Sequence, residues 1–301
     1  MKQRNPSAMP SETSQPETTG ALLAWARNQL DSTSDSARLD AEVLLGHALE
    51  ASRAALYANP DRPVSARQSA LYTELVAARK QGRPVAQLTG EREFWSLALQ
   101  VDSQVLVPRP ETELLVERAL AHISADEAAH ILDLGTGTGA IAIAIASERP
   151  NCTLTASDNS AAALTIARAN SEQHTPGRIN FLQSDWFDAL ADQRFDLIVS
   201  NPPYVSTEES ELTDRDLDFE PPEALYSGAD GLDDIRKIIA GSPAMLTDQG
   251  CLLLEHGHDQ ADRIRRLLKD AGFVDPVSHA DLAGIARVTE ARLEAKPGSG
   301  K

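Results

Sequence analysis

The sequence predicts an α/β fold: a doubly wound, mostly parallel sheet preceded by a small all-helical domain and joined to it by a β-hairpin. Three observations carry this expectation. From His130 onward, short aliphatic runs alternate with stretches of helical periodicity, and repeated βα units build a parallel sheet with helices on both faces. A glycine-rich stretch stands directly between the first of those strands and the first of those helices. A later strand stops abruptly at Asn201-Pro202-Pro203-Tyr204.

Met1 to Gly20 is rich in Ser, Thr, Pro and Glu and has no apolar core, so it reads as a disordered tail rather than a signal peptide. From Ala21 to about Gln81 the pattern is helical. Leu22, Leu23, Trp25, Ala26 and Leu30 share one face. Ser36 is placed to cap a second helix carrying Leu39, Val43, Leu44 and Ala48, and Ser65 a third carrying Leu71, Leu75 and Val76. Glu93 to Val107 alternates and holds aromatics, with Asp102-Ser103 at its middle, which predicts a hairpin turning there. Pro110 then opens a helix with Glu111 and Glu113 in its first turn, where the helix dipole favours negative charge.

The strands that follow are Ile131–Leu134, Thr153–Ser157, Ile179–Leu182, Phe195–Ser200, Cys251–Glu255, Phe273–Ser278 and Ala286–Arg292. Helices fill the gaps at Ala140–Ser147, Ser160–Gln173, Asp233–Met245 and Gln260–Asp270. Asp133-Leu134-Gly135-Thr136-Gly137-Thr138-Gly139-Ala140 lets a ligand approach the backbone closely. Its spacing fits both the dinucleotide fingerprint and the Asp-x-Gly-x-Gly-x-Gly loop of methyltransferases that use S-adenosylmethionine. Asp158 ends the next strand, where a carboxylate can hold both hydroxyls of a ribose or simply lead into the following helix. Asp185-Trp186-Phe187 ends the third strand, and there Asp185 and Trp186 suit the amino group and the face of an adenine.

The tetrapeptide Asn201-Pro202-Pro203-Tyr204 lies at the sheet edge where α/β proteins bind ligands. Two prolines end the strand and stiffen the loop. The Asn201 side chain and the Pro202 carbonyl are two acceptors able to take both hydrogens of an –NH2 group, and Tyr204 offers an aromatic face. No His, Lys or Cys stands beside Asn201 as a general base, so orientation and desolvation would carry the chemistry. On the tetrapeptide alone an ordinary Pro-rich turn fits equally well.

Composition narrows the field. The formal charge of −17 disfavours binding to a phosphate backbone. No apolar run reaches eighteen residues, so no membrane helix is expected. Cys152 and Cys251 lack partners at metal-ligand spacing and read as buried reduced thiols in a cytoplasmic protein, with no metal. His256 and His258 beside Glu255 read as structural or surface residues. Arg109 is placed either to meet substrate or to pair with Glu111 or Glu113, and Glu208 to Asp218 reads as a solvated acidic loop.

Taken in order, Pro84-Val85-Ala86, Gly90-Glu91, Glu93-Phe94-Trp95, Val107-Pro108-Arg109-Pro110-Glu111-Thr112-Glu113, Asp185-Trp186, Asn201-Pro202-Pro203-Tyr204-Val205, Phe219-Glu220-Pro221 and Asp230-Gly231-Leu232 resemble the HemK/PrmC family of release factor glutamine methyltransferases. The likeness runs from about Ala21 to Arg292. It departs at Gln87-Leu88, where members often carry Tyr-Ile, and at Ala286, where an acidic residue or Pro is common.

The resemblance implies a class I S-adenosylmethionine-dependent fold and methyl transfer to the Gln of the Gly-Gly-Gln motif in bacterial class I release factors. By motif position, Gly135, Thr136, Gly137, Thr138, Gly139, Asp158, Asp185, Trp186 and Asn201 would surround the cofactor. Asn201, Pro202, Pro203 and Tyr204 would take the glutamine. The implied organisation is a tail over 1–20, a helical recognition domain over 21–91, a hairpin linker over 92–108, a methyltransferase domain over 109–293 and a tail over 294–301. A cytoplasmic monomer without membrane or direct nucleic-acid contact is expected. Two other substrates use the same chemistry: a glutamine of a ribosomal protein, or an exocyclic amine of a nucleic acid such as adenine N6.

Overall fold

The computed structural model describes residues 18–191, 193–208 and 215–294. The expected tails lie outside it, apart from residues 18–20 and 294, as does part of the acidic loop, residues 209–214. Residues 18–20 are ordered structure, contrary to expectation. Helix α1 (Thr19–Leu30) starts there, and the Thr18 hydroxyl accepts from the Ala21 N–H. The chain divides into two compact units between Thr89 and Gly90.

The first unit is helical: α1 is followed by α2 (Ala37–Leu49), α3 (Arg53–Ala58), α4 (Ala66–Lys80) and α5 (Val85–Thr89). The two short helices were not expected, because five or six residues are too few to show a period. Ser65 closes a capping box with Gln68. Ser36 makes no capping bond; its hydroxyl donates to Asp40 Oδ1 at 2.8 Å instead. The buried stripe of α2 runs Ala37, Asp40, Ala41, Leu44, Leu45, Ala48. A carboxylate therefore occupies a core position, and Leu39, expected to be buried, is exposed. Leu71 is likewise exposed, one residue off the α4 stripe of Ser69, Tyr72, Leu75, Val76 and Arg79.

The second unit begins with the hairpin β1 (Glu91–Phe94) and β2 (Leu97–Gln100). Its turn is Trp95-Ser96, not Asp102-Ser103. Both turn residues have positive φ, 53° and 59°, the geometry that usually selects Asn or Gly. The strain is held by the Trp95 N–H donating to Glu113 Oε1 at 2.9 Å and the indole N–H donating to Glu148 at 3.0 Å. Asp102 accepts from the Gln104 N–H in a separate local turn.

After α6 (Glu113–His122) come β3 (His130–Leu134), α7 (Ala140–Glu148), β4 (Thr153–Asp158), α8 (Ala161–His174), β5 (Ile179–Gln183) and β6 (Phe195–Ser200). Then follow α9 (Asp233–Met245), β7 (Leu246–Glu255), α10 (Ala261–Asp270), β8 (Phe273–Ala280) and β9 (Ala286–Leu293). The seven strands are ordered β5-β4-β3-β6-β7-β9-β8; the first five are parallel and β9 is antiparallel to both its neighbours. Alternate residues of the central strands serve opposite faces. Ile131, Leu197, Val199 and Leu253 pack with α6 and α7, while Leu132, Leu134, Ile198 and Leu252 pack with α9 and α10. Burial on both faces explains why these strands read as continuous apolar runs. No helix among the described residues is long and apolar enough to cross a membrane.

The buried pair in the first unit yields a test. Arg79 Nε donates to Asp40 Oδ2 at 2.7 Å with both side chains almost fully buried. Removing one partner strands the other charge, which costs about 3 kcal/mol. Asp40→Ala should lower the unfolding free energy in urea by that order; a loss below about 0.5 kcal/mol would show that Arg79 finds water or another acceptor.

Candidate active site

The strand order reverses between β3 and β6, and the carboxyl ends of those strands open a cleft of about 340 Å³. Two loops shape its floor. After β3, the Gly135 and Thr136 N–H groups both donate to Ser157 O at 2.9 Å, and the Gly137 N–H donates to Asp158 Oδ2 at 2.9 Å. Gly135 has φ 70°, the left-handed region that favours glycine, and a Cβ added there would stand in ordinary contact with the Trp186 ring, 3.6 Å away. Of this loop only Gly135 and Gly137 line the cleft. Thr136 turns inward, its hydroxyl donating to Asp133 Oδ2 at 2.6 Å. Thr138 is buried with its carbonyl bound by Asn170, and Gly139 starts α7 against Ala167.

Asp158 lines the cleft with both oxygens anchored, Oδ2 by Gly137 and Oδ1 by the Ser160 N–H at 2.9 Å. Burial raises its pKa, and those backbone donors oppose the rise. Its oxygens keep further lone pairs for hydroxyl donors. Asp133 beneath is fully buried; desolvation pushes it up to about 7 despite the Thr136 hydroxyl. Asp185 and Trp186 also line the cleft, and Asp185 is exposed. Trp186 sits at φ 44°, with its indole N–H donating to Asp234 Oδ1 at 3.3 Å. Phe187 points elsewhere and packs on Gly241.

The second loop is Asn201 to Tyr204. Asn201 and Pro203 line the cleft, whereas Pro202 is buried. The Asn201 Nδ2 group donates to Thr112 Oγ1 at 3.2 Å, and Oδ1 is buried with no hydrogen-bond partner among the described residues. An unmatched buried acceptor is costly unless something else supplies the donor. Tyr204 is not part of the cleft wall. Its ring packs half-buried against the α9–α10 core, near Glu255, Arg287, Arg109 and Glu111, and burial raises its pKa. The stacking face expected of Tyr204 finds no support in this placement.

Several residues that hold the loops were not foreseen. Glu220 is buried; it accepts from the Val107 N–H at 2.9 Å and pairs with Arg109, which therefore meets neither Glu111 nor Glu113. The Tyr204 carbonyl accepts from Gln260 Nε2 at 3.0 Å. Glu255, one residue past the Ser200–Leu254 register pair, is fully buried beneath Asn201, and desolvation pushes it up to about 7. In sequence Glu255 is marked only as the end of the strand Cys251–Glu255 and as a neighbour of His256. That histidine is a buried strut: its Nδ1–H donates to Gly257 O and its Nε2 accepts from Thr289 Oγ1, each at 2.8 Å. His258 is exposed.

Comparison with known proteins identifies the family of the chain. Residues 110–217 match the family model of the methyltransferase small domain, and residues 21–90 match that of the PrmC N-terminal domain. The chain is 48% identical over 272 residues to the release factor glutamine methyltransferase of Xylella fastidiosa, covering 90% of this chain and 97% of that one. It is 49% identical over 261 residues to the protein of the same name from Burkholderia pseudomallei (85% and 92% covered). The Pseudomonas aeruginosa protein is 47% identical over 256 residues (85% and 92%).

Gly231 tests how tightly the second loop is held. It has φ 71°, and an added Cβ would stand 2.3 Å from the Tyr204 carbonyl oxygen. Gly231→Ala should cost about 2 kcal/mol of stability through backbone strain and displacement of Tyr204. A melting curve matching the wild type would show that the loop yields freely.

Proposed function

The chain belongs to the HemK/PrmC family of release factor glutamine methyltransferases, and from that premise we infer how its cleft performs the reaction. The enzyme is a protein-glutamine methyltransferase, and its substrate atom in this reading is the side-chain amide nitrogen of the Gln in the release factor's Gly-Gly-Gln motif. The observation that carries the reading is that Asn201 lines the cleft while its Oδ1 is buried with no hydrogen-bond partner among the described residues. That oxygen is an acceptor waiting for an N–H donor, and a primary amide brings two.

The cleft fits S-adenosylmethionine. Asp158 has lone pairs available to ribose hydroxyls, Asp185 is an exposed acceptor for an adenine amino group, and Gly135 and Gly137 leave the backbone open to close approach. When bound, the cofactor supplies an electrophilic methyl group. A glutamine amide nitrogen is a weak nucleophile because its lone pair is delocalised into the carbonyl. Asn201 Oδ1 would accept one N–H, and the Pro202 carbonyl, which takes no bond from the described residues, would accept the other. Two acceptors draw density onto the nitrogen and fix its direction. Pro203 stiffens the loop, and the proton leaves after the transfer. The helical unit, matched over residues 21–90, is the proposed contributor to holding the release factor. This work belongs to the cytoplasm, where translation ends.

Incubation with labelled S-adenosylmethionine and separate pools of release factor, ribosomal protein and DNA tests the reading. Label should appear on the Gly-Gly-Gln glutamine; label on DNA alone would overturn it. Asn201→Ala should lower kcat by about 10²-fold while cofactor affinity, measured by calorimetry, stays within about twofold. Asp158→Ala should do the reverse, weakening cofactor binding about tenfold through the loss of charge-assisted hydrogen bonds. Full turnover in the Asn201 variant would remove Asn201 from the mechanism.

A further inference from the structure

The Asn201 carboxamide has two orientations related by a half-turn, and only one presents an acceptor to a substrate amide. With oxygen and nitrogen exchanged, an –NH2 group would face the substrate's own N–H donors and repel them. Something must therefore select the orientation, and the loop itself contains no group that does so.

The neighbours of Asn201 supply the selection. Thr112 stands in the turn at Pro110–Thr112 that precedes α6, is buried, and accepts from Asn201 Nδ2 at 3.2 Å. Glu255 ends β7 beside the strand from which Asn201 emerges. The Thr112 hydroxyl and the Asn201 carboxamide both lie close enough to its carboxylate to favour the charged form. Glu255 is 1% exposed, and its Oε2 has no hydrogen-bond partner among the described residues. A hydroxyl and a carboxylate on one side of a carboxamide hold its –NH2 there, because a carboxylate repels an amide oxygen.

We infer that Thr112 and Glu255 are positioning residues, which lock the Asn201 carboxamide with its –NH2 inward and so leave Oδ1 as the acceptor for the substrate amide. This rests on the reading of Asn201 as the amide-binding residue. It gives a task to the Arg109-Pro110-Glu111-Thr112-Glu113 segment: Arg109 ties the segment to Glu220, and Thr112 faces Asn201.

The charged and titratable groups around Glu255 are Arg287 from β9, Glu111 from the turn, and Tyr204 from the loop, with Arg109 beside Tyr204. Burial sets Glu255 near 7, against the opposing pull of Thr112 and Arg287. Below that pH it gains a proton and becomes a donor. The Asn201 –NH2 then loses its anionic acceptor, and turnover falls on the acid side.

The test uses the full-length enzyme, a Gly-Gly-Gln release factor and three variants. Thr112→Val keeps the shape and removes the hydroxyl; Thr112→Ser keeps the hydroxyl and removes a methyl. Thr112→Val should lower kcat about tenfold with little change in KM, while Thr112→Ser stays within about threefold of wild type. A packing role predicts the opposite order, and that order would overturn the proposal. Glu255→Gln should be slower and lose the acid limb of the pH–kcat profile; a limb that survives unchanged rules out Glu255 as the group responsible. The Asn201 side-chain amide signal in 15N NMR, read without substrate, should be protected from solvent exchange in wild type and Thr112→Ser and unprotected in Thr112→Val. Equal protection in all three would refute the proposal even if the wild type methylated a different substrate, so the two readings fail separately.

Discussion

One hydrogen-bonding constraint underlies the proposed reaction: the Asn201 carboxamide must reach the cleft with its oxygen unpartnered. β6 delivers Asn201 to the edge of the sheet, and the Ser200 hydroxyl donates to Leu134 O at 2.7 Å, so the two loop-bearing strands end in register. Pro202 and Pro203 have no N–H with which to continue the ladder. The loop is then fixed from three sides. Thr112 takes the Asn201 –NH2, Gln260 holds the Tyr204 carbonyl, and Val205 bonds with Leu225 and Ser227 in the returning segment. Segments distant in sequence, around 112, 225 and 260, are thereby tied to the one loop over residues 201–205.

The same region accumulates buried acid. Asp133 and Glu255 both titrate near 7 because burial disfavours their charge. A carboxyl whose pKa is higher in the folded state binds more protons there, so its contribution to stability declines as pH rises from about 4 to 7. Glu42 and Glu290 behave in the opposite way. Burial alone would raise both, but Tyr57, Arg53 and Arg38 pull Glu42 to about 2, and His122 and Arg118 pull Glu290 to about 2. Their contribution is present above about 4.5 and is lost as pH falls toward 2. Cations pair with Glu42 and Glu290 and also with Asp234, which lines the cleft, and Glu220, next to the cleft-lining Pro221. Asp133 and Glu255, in contrast, are buried without an ion pair among the described residues and stay high for that reason.

Much of this was legible in the sequence, for physical reasons. The parallel strands are buried on both faces and so stand out as apolar runs, and glycine and proline mark the two loops that end them. The cleft accordingly gathers Gly135, Gly137, Asp158, Asp185, Trp186, Asn201 and Pro203. What escaped were contacts between residues far apart in the chain. Nothing local ties Thr112 to Asn201, or Glu220 to Arg109. The hairpin turn was misplaced because Trp95-Ser96 lacks the glycine or asparagine that positive φ normally selects, and Glu113 and Glu148 supply the compensation. Asp40 was missed because a carboxylate in a helix stripe reads as surface until its partner Arg79 is seen across the bundle.

The most direct measurement is a crystal structure of the protein with S-adenosylhomocysteine and a Gly-Gly-Gln peptide. The account predicts the glutamine amide nitrogen within hydrogen-bond distance of both Asn201 Oδ1 and the Pro202 carbonyl, about 3 Å from each, with the Asn201 –NH2 still on Thr112. A glutamine seated elsewhere in the cleft, or an Asn201 side chain turned to bring its –NH2 toward the peptide, would contradict it.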